Sequence, residues 1–370
     1  MSYARGTGGV SGRRCLRRTR CRPEEHELCA WHEGGLGAHR GRGQPASRYR
    51  ENMTDTLGGI GEGAALARIF PRLPAASAAV VGPGDDAAVL VAADGRFVVT
   101  TDMMIHGPDF RLAWSTPHDL GWKAAASNLA DVAAMGAVPT GLVVALAAPA
   151  DTPVTFLEAF ADGLRDGCAA MAPGCGVVGG DLSVSATLTI AVTAFGDLQG
   201  RAPVLRWGAR VGDIVAVSGP LGHAAAGLAR LFSEGLVAGE PVAVPALRGD
   251  ADVMAQLAPT PPIADGPIAA IAGATAMIDL SDGLALDARR LAAASEVALD
   301  LNLAAIGSKI ALTGGEDHSL LATFPSGTTL PPGFRVIGRV VDGAGVLVDG
   351  AHYDERGGWD PYEDWNGGRG

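Results

Sequence analysis

The stretch "DLGWKAAASNLADVAAMGAVPTGLVVALAAP", residues 119–149, changes character halfway along. Residues 119–137 are Ala-rich, with small and apolar side chains throughout, which predicts a helix buried on several sides. "GLVVALAAP", 141–149, is a continuous apolar run and predicts a strand. A buried helix feeding a strand puts the chain in a mixed α/β class. It also leaves Asp131 inside an apolar helix, where a carboxylate costs free energy unless it is paired or metal-bound.

The alternation continues in both directions. Upstream, residues 58–73 carry apolar side chains at helical spacing, and 87–104 predict a hairpin of two strands around Asp94-Gly95. Downstream come a helix over 154–171, a strand ending in "GVVGGD" and a strand within 185–198. Gly, Pro and Arg gather over 199–213, which marks a boundary. The second half alternates in the same way, with strand "DIVAVSG", helices over 222–236 and 267–272, strand "TAMIDLSDG", a helix over 284–295 and a strand after "GGED". We read two α/β domains, 53–200 and 201–370, preceded by a leader of different composition.

Residues 1–52 hold 11 Arg, no Lys and 5 acids, which leaves 18 basic and 35 acidic residues in the rest of the 370-residue chain. The leader lacks an apolar period or a signal-peptide core, and disorder is expected there. Cys15, Cys21, Cys29, His32 and His39 offer zinc as an alternative, but in no paired-Cys spacing. Met53 stands as a plausible start of the body. With only Cys168 and Cys175 beyond it, no disulfide framework is expected, and the cytoplasm is the expected compartment. Apolar runs fall short of the ~20 residues that span a membrane, and the Arg-rich leader lacks the interleaved aromatics of a nucleic-acid platform.

Acidic motifs recur at the ends of apolar segments: Asp85 and Asp86 in "GPGDDAAVL", Thr100, Thr101 and Asp102 in "VVTTDMM", Asp181 in "VVGGDLS", Asp279 and Asp282 in "MIDLSDGL". The body has two lysines, Lys123 and Lys309, so few of these acids can be neutralised by ammonium groups. Magnesium favours such oxygen ligands together with substrate phosphates. Glycine pairs beside the acids let backbone approach a phosphate closely and cradle it with N–H groups. No P-loop, kinase H-R-D or D-F-G, G-x-S-x-G or H-E-x-x-H motif is present, so a phosphate site here follows another design.

In order and spacing, "GPGDDAAVL", "TTDMM", "KAAASNLADVAAMGAVP", "GGDLS", "VLRWGARVGD", "MIDLSDGL" and "TGGEDHSLL" resemble the thiamine-monophosphate kinases of the aminoimidazole ribonucleotide synthetase-like superfamily, over roughly residues 56–362. The resemblance implies a homodimer built by pairing N-terminal sheets, and ATP-dependent phosphorylation of thiamine monophosphate assisted by several magnesium ions. It implies magnesium ligands at Asp86, Thr100, Thr101, Asp102, Asp131, Asp181, Asp279 and Asp282, and ATP contacts at Gly180, Asp181, Arg206 and Ser281. A guanidinium at Arg206 also suits bidentate phosphate binding on chemical grounds. Glu316 is implied to hold the substrate pyrimidine, with Asp317 bracing the turn and Trp359 covering the ligand with a π face.

The sequence also departs from that family. Where a substrate-contacting His is usual, this chain has Asp109, with His106 three residues earlier, and either one could serve. His318 and Ser319 replace a usual Tyr-Glu, and His318 is expected to be a satisfied core residue. Related activities of the superfamily remain alternatives. A selenophosphate synthetase would want a reactive Cys between Met53 and Cys168, and a carbamoyl-transferring maturation protein would end in Cys; this chain has neither. A scaffold without activity would have lost acidic motifs that here stand intact.

Overall fold

A computed structural model describes residues 55–83 and 87–360. The leader, its alternative zinc set, Asp85 and Asp86 lie outside the described residues.

The first half is organised on a four-stranded sheet of β1 (Val98–Ile105), β2 (Val138–Ala148), β3 (Val177–Val184) and β4 (Thr189–Asp197), in the order β1-β4-β2-β3. β4 is antiparallel to both its neighbours, and β2 runs parallel to β3 through a crossover that contains a helix. Helices α1 (Pro117–Ala134) and α2 (Val154–Met171) cover one face. α1 starts where Thr116 and Asp119 exchange hydrogen bonds, the Thr116 hydroxyl accepting from the Asp119 N–H (3.2 Å) and the Asp119 carboxylate from the Thr116 N–H (2.7 Å), with Pro117 in its favoured first position. Arg248 ties that carboxylate to the second half at 2.7 Å.

The second half is organised on a seven-stranded sheet. Its strands are β5 (Ile214–Ser218), β6 (Ala276–Leu280), β7 (Ala298–Leu301), β8 (Ser319–Phe324), β9 (Phe334–Val341), β10 (Gly345–Val348) and β11 (Ala351–His352), in the order β6-β8-β5-β9-β7-β10-β11. β6 and β8 are buried along their whole length. Met277, Leu320 and Phe324 face a core shared with α1 and the first sheet, while Ile278, Leu280 and Leu321 face α6 (Leu284–Ser295). That two-sided burial explains why these strands are continuous apolar runs. α3 (His223–Glu234), α4 (Ala251–Leu257) and α5 (Asp265–Ile271) complete this half.

Two expectations change. The helix over 58–73 breaks at Gly61 (φ 78°) into Leu57–Ile60 and Glu62–Ile69, followed by a 3₁₀ turn, because a left-handed glycine cannot continue the helix. The hairpin within 87–104 does not form: Val89–Leu90 pairs with Ala79–Val81, whereas all eight residues of β1 pair with β4. Period-2 patterning identifies a strand but not its partner, and here a distant, fully matched ladder prevails over the local turn.

α1 and α2 pack closely enough that a Cβ at Gly163 would collide with the His118 carbonyl, and one at Gly121 with the Phe160 carbonyl. Backbone cannot yield as a flexible side chain does. Gly163→Ala is therefore expected to cost about 1–3 kcal/mol and lower the thermal midpoint by several degrees. Gly63→Ala, on an exposed helix with open space around it, should be neutral or slightly stabilising. Calorimetry on both variants checks the contrast.

Candidate active site

β1 presents alternate side chains to opposite faces. Thr100, Asp102 and Met104 turn toward α1, and Val99, Thr101, Met103 and Ile105 turn outward. Thr100 Oγ1 donates to Asp131 Oδ2 at 2.7 Å, and the Asp102 N–H donates to Asn128 Oδ1 at 3.2 Å. From the other sheet, Asp279 at the end of β6 is buried and faces His318 Nδ1 at 3.4 Å. Asp131, Thr100 and Asp279 line one cleft of about 530 Å³ together with Arg206.

The "GGED" segment is held against "LSD" by backbone: the Glu316 N–H donates to the Ser281 carbonyl (2.7 Å) and the His318 N–H to the Leu280 carbonyl (3.1 Å). Both residues adopt left-handed backbone, Glu316 at φ 72° and His318 at φ 50°, unusual for side chains with a Cβ and typical of functional turns. Gly315 leaves no room for a Cβ beside the Ser281 carbonyl. Asp317 braces the turn as expected, its carboxylate accepting from the N–H groups of Gly222 (2.5 Å) and Ala224 (2.9 Å) at the start of α3. Asp282 pairs with Arg290 at 2.6 Å, and buried Asp287 accepts from the Asp282 and Gly283 N–H groups, fixing that loop.

The carboxylates lie close enough to disturb one another. Burial, then the charges of Asp279 and Asp102, push Asp131 up to about 7 against the Thr100 hydrogen bond. Burial also raises Asp102, with His318 opposing. His318 is raised too, which for an imidazole favours the charged form: burial opposes its charge, but the Asp279 hydrogen bond and the charge of Glu316 raise it to about 9. Among the described residues no group of three or more His, Cys, Asp or Glu side chains is arranged to hold a metal ion by itself. Crowded carboxylates that resist ionisation, beside a hydroxyl and an open cleft, suit a hard cation that keeps waters and shares substrate oxygens.

A second cleft, of about 210 Å³, brings Asp109, Glu316, Trp359 and Ser281 together. Asp109 and not His106 lines it; His106 is exposed and stacks near Phe110. Burial raises the Asp109 carboxyl, although it accepts the Ile105 N–H at 2.7 Å. The Trp359 N–H donates to the Asp282 carbonyl at 3.0 Å, placing its ring at this cleft.

Gly180 and Asp181 are not brought to either cleft. In register, Asp181 pairs with Ala145, Ala145 with Ala191, and Ala191 with Met103, so Asp181 shares the outward face with Met103. At ~4.8 Å per strand it lies ~14 Å from β1. Thr101 also faces outward, its hydroxyl donating to the Val192 carbonyl. Gly180 and Asp181 line a third cleft, of about 630 Å³, beside Pro83 and Ala87, which flank the segment carrying Asp86. The expected ligands thus fall into two groups.

Lys123 was not singled out as a functional residue from the sequence. It is buried on α1, and its Nζ lies 2.5 Å from Glu316 Oε2 and donates to the Gln256 carbonyl at 3.2 Å. The signal was available: Lys123, Ser127 and Asp131 recur every four residues along one helix face. Asn128, Asp287 and Arg111 carried no comparable pattern.

Residues 84–198 match the family described as "AIR synthase related protein, N-terminal domain". The mixed α/β fold is of that class. Thiamine-monophosphate kinase of Mycobacterium tuberculosis (strain CDC 1551 / Oshkosh) is 44% identical over 325 residues, covering 83% of this chain and 93% of the relative. The solved thiamine-monophosphate kinase from Stenotrophomonas maltophilia K279a is 33% identical with a TM-score of 0.65, covering 78% of this chain and 95% of that one. A structure of AaThiL complexed with AMPPCP and TMP is 33% identical with a TM-score of 0.63, covering 74% and 90%. The chain belongs to the thiamine-monophosphate kinase family.

The Lys123–Glu316 pair has a measurable signature. Burial works against the Glu316 charge, but Lys123, helped by His318, outweighs it and holds the carboxyl below its usual range. A carboxyl depressed in this way adds stability above its unfolded pKa and loses it as pH falls. Lys123→Met should cost about 1–2 kcal/mol at pH 7, less than a fully buried pair because the Glu316 side chain is 38% exposed. Denaturation curves should show the gap between the proteins narrowing as pH falls below the ordinary Glu value of ~4.3.

Proposed function

We propose that the protein transfers the γ-phosphoryl group of ATP to thiamine monophosphate by direct in-line displacement, giving thiamine diphosphate and ADP. The observation that carries this reading is the cleft of Asp109, Glu316, Trp359 and Ser281, with the cleft of Thr100, Asp131, Asp279 and Arg206 only two residues away along the chain, from Ser281 to Asp279. The first suits a heteroaromatic cation: two carboxylates to accept hydrogen bonds and an indole to cover it. The second suits phosphates, with Arg206 as a bidentate donor.

Bound magnesium would neutralise the two anions that must meet, and we assign Asp86, Thr100, Thr101, Asp102, Asp131, Asp181, Asp279 and Asp282 to hold it. No side chain acts as a covalent nucleophile in this scheme. Gly180, Asp181, Arg206 and Ser281 orient ATP, and Glu316, steadied by Lys123, orients the pyrimidine; catalysis rests on positioning. We divide the chain into residues 53–200, for metal, nucleotide and dimer contacts, and 201–370, which complete the acceptor site. The assembly is a homodimer acting in the cytoplasm. Supporting the dimer, Val99, Met103 and Ile105 expose an apolar outward face on β1. Supporting a soluble protein, no described helix is long and apolar enough to cross a membrane. Thr101 and Asp181 lie on that same outward face, so we assign them to a site completed by the second copy.

Incubation with ATP, magnesium and thiamine monophosphate should yield thiamine diphosphate and ADP, and absence of product at high enzyme concentration would refute the reading. Asp131→Asn should retain the fold and lower turnover by ~10²–10³-fold. Glu316→Gln should mainly raise KM for thiamine monophosphate and leave that for ATP little changed. For the dimer, Met103→Glu should halve the mass seen by light scattering; an unchanged mass rules out this face.

A further inference from the structure

Arg111 follows β1 in the segment "HGPDFRLAW" and lines the same cleft as Asp109, Glu316 and Trp359. It is 8% exposed. Its guanidinium carbon lies 4.6 Å from the ring centre of Trp114 and 4.7 Å from that of Phe232, so two aromatic faces hold the planar cation. Its backbone carbonyl accepts from Trp114 and Ser115, but among the described residues the guanidinium has no carboxylate or carbonyl acceptor. A guanidinium stacked between two rings and given no protein acceptor keeps its N–H donors for whatever fills the cleft, water or a ligand.

Resting on the function proposed above, we infer that Arg111 is a specificity-determining residue that donates to a pyrimidine ring nitrogen of bound thiamine monophosphate, on the edge opposite Glu316. Guanidinium donates only, so its partner on the ligand is an acceptor. The ligand offers two kinds: phosphate oxygens and ring nitrogens. The phosphate is assigned above to the cleft of Thr100, Asp131, Asp279 and Arg206, which Arg111 does not line. An unneutralised guanidinium repels the thiazolium, which leaves the neutral pyrimidine. An aminopyrimidine edge pairs a donor amino group with acceptor nitrogens, matching a carboxylate on one side and a guanidinium on the other. The aromatic sandwich keeps the fork in one orientation, so little side-chain freedom is lost on binding.

The test uses the full chain, thiamine monophosphate and two analogues, each with one pyrimidine ring nitrogen replaced by C–H. With the wild-type protein, one analogue should show KM raised by about 10–100-fold, since a hydrogen bond to a charged group is lost. Arg111→Met should raise KM for thiamine monophosphate by a similar factor, leave KM for ATP unchanged, and show no further loss with that analogue. Equal, additive losses with every acceptor would mean that Arg111 only supports the fold, and would overturn the inference. If Arg111→Met melts early, Arg111→Lys keeps the charge without the planar fork and should show the same selective loss. Wild-type protein that uses both analogues as well as thiamine monophosphate also overturns it. A wild-type protein inactive on thiamine monophosphate itself instead refutes the proposed function, so the two failures are distinguishable.

Discussion

Lys123 brings an ammonium group into the interior on α1, and Glu316, on a turn of the other half, is the carboxylate within 2.5 Å of it. The ion pair acts as a register mark between halves. For Nζ to reach Oε2, α1 must be seated closely against α2, which the close approach at Gly121 and Gly163 permits. The "GGED" turn must adopt left-handed backbone at Glu316, which the hydrogen bond to the Ser281 carbonyl imposes. Once both hold, Asp131 is carried two helical turns beyond Lys123 and faces Asp279 across the interface. A small error in the seating of α1 would part Asp131 from Asp279 and Lys123 from Glu316 together.

The acids show what the fold tolerates for this arrangement. Asp131 and Asp287 are both pushed up to about 7, burial being the first cause and neighbouring carboxylates the next. They differ in what they touch. Asp287 spends its carboxylate on the backbone N–H groups of Asp282 and Gly283 and on Arg290, so it serves the shape of a loop. Asp131 accepts from one hydroxyl and otherwise faces open cleft. Of two buried acids with similar electrostatics, Asp131 is the one whose oxygens are left free for a further partner.

Much of this architecture was legible in the sequence because burial leaves a periodic trace. Helices 154–171 and 284–295 were found to the residue, since one apolar face repeats over three or more turns. Asp109, Glu316 and Trp359, widely spaced in the chain and assigned to the substrate by resemblance alone, converge on one cleft. What escaped notice depends on pairing across distance. Nothing within 87–104 says that β1 prefers β4 to its own neighbour, because strand patterning encodes faces and not partners. Lys123 looked like one of two scattered lysines until the fold gave it Glu316. Arg111 sits in an aperiodic loop, where only its two aromatic neighbours and its missing acceptor mark it.

β1 draws these themes together, since a strand's period of two lets adjacent residues serve different surfaces. Thr100 and Asp102 look inward to Asp131 and Asn128, and Thr101 and Met103 look outward beside the row that ends at Asp181. The motif "TTDMM" is therefore contiguous in sequence but split in space, and no rotamer change can bring Thr101 to the inner face without slipping the ladder by one residue. Such a slip would drive Met103 into the acids and Asp102 to the surface. Because all eight residues of β1 are paired with β4, the separation is rigid. A site that drew on both faces of β1 would therefore have to be completed from outside this sheet.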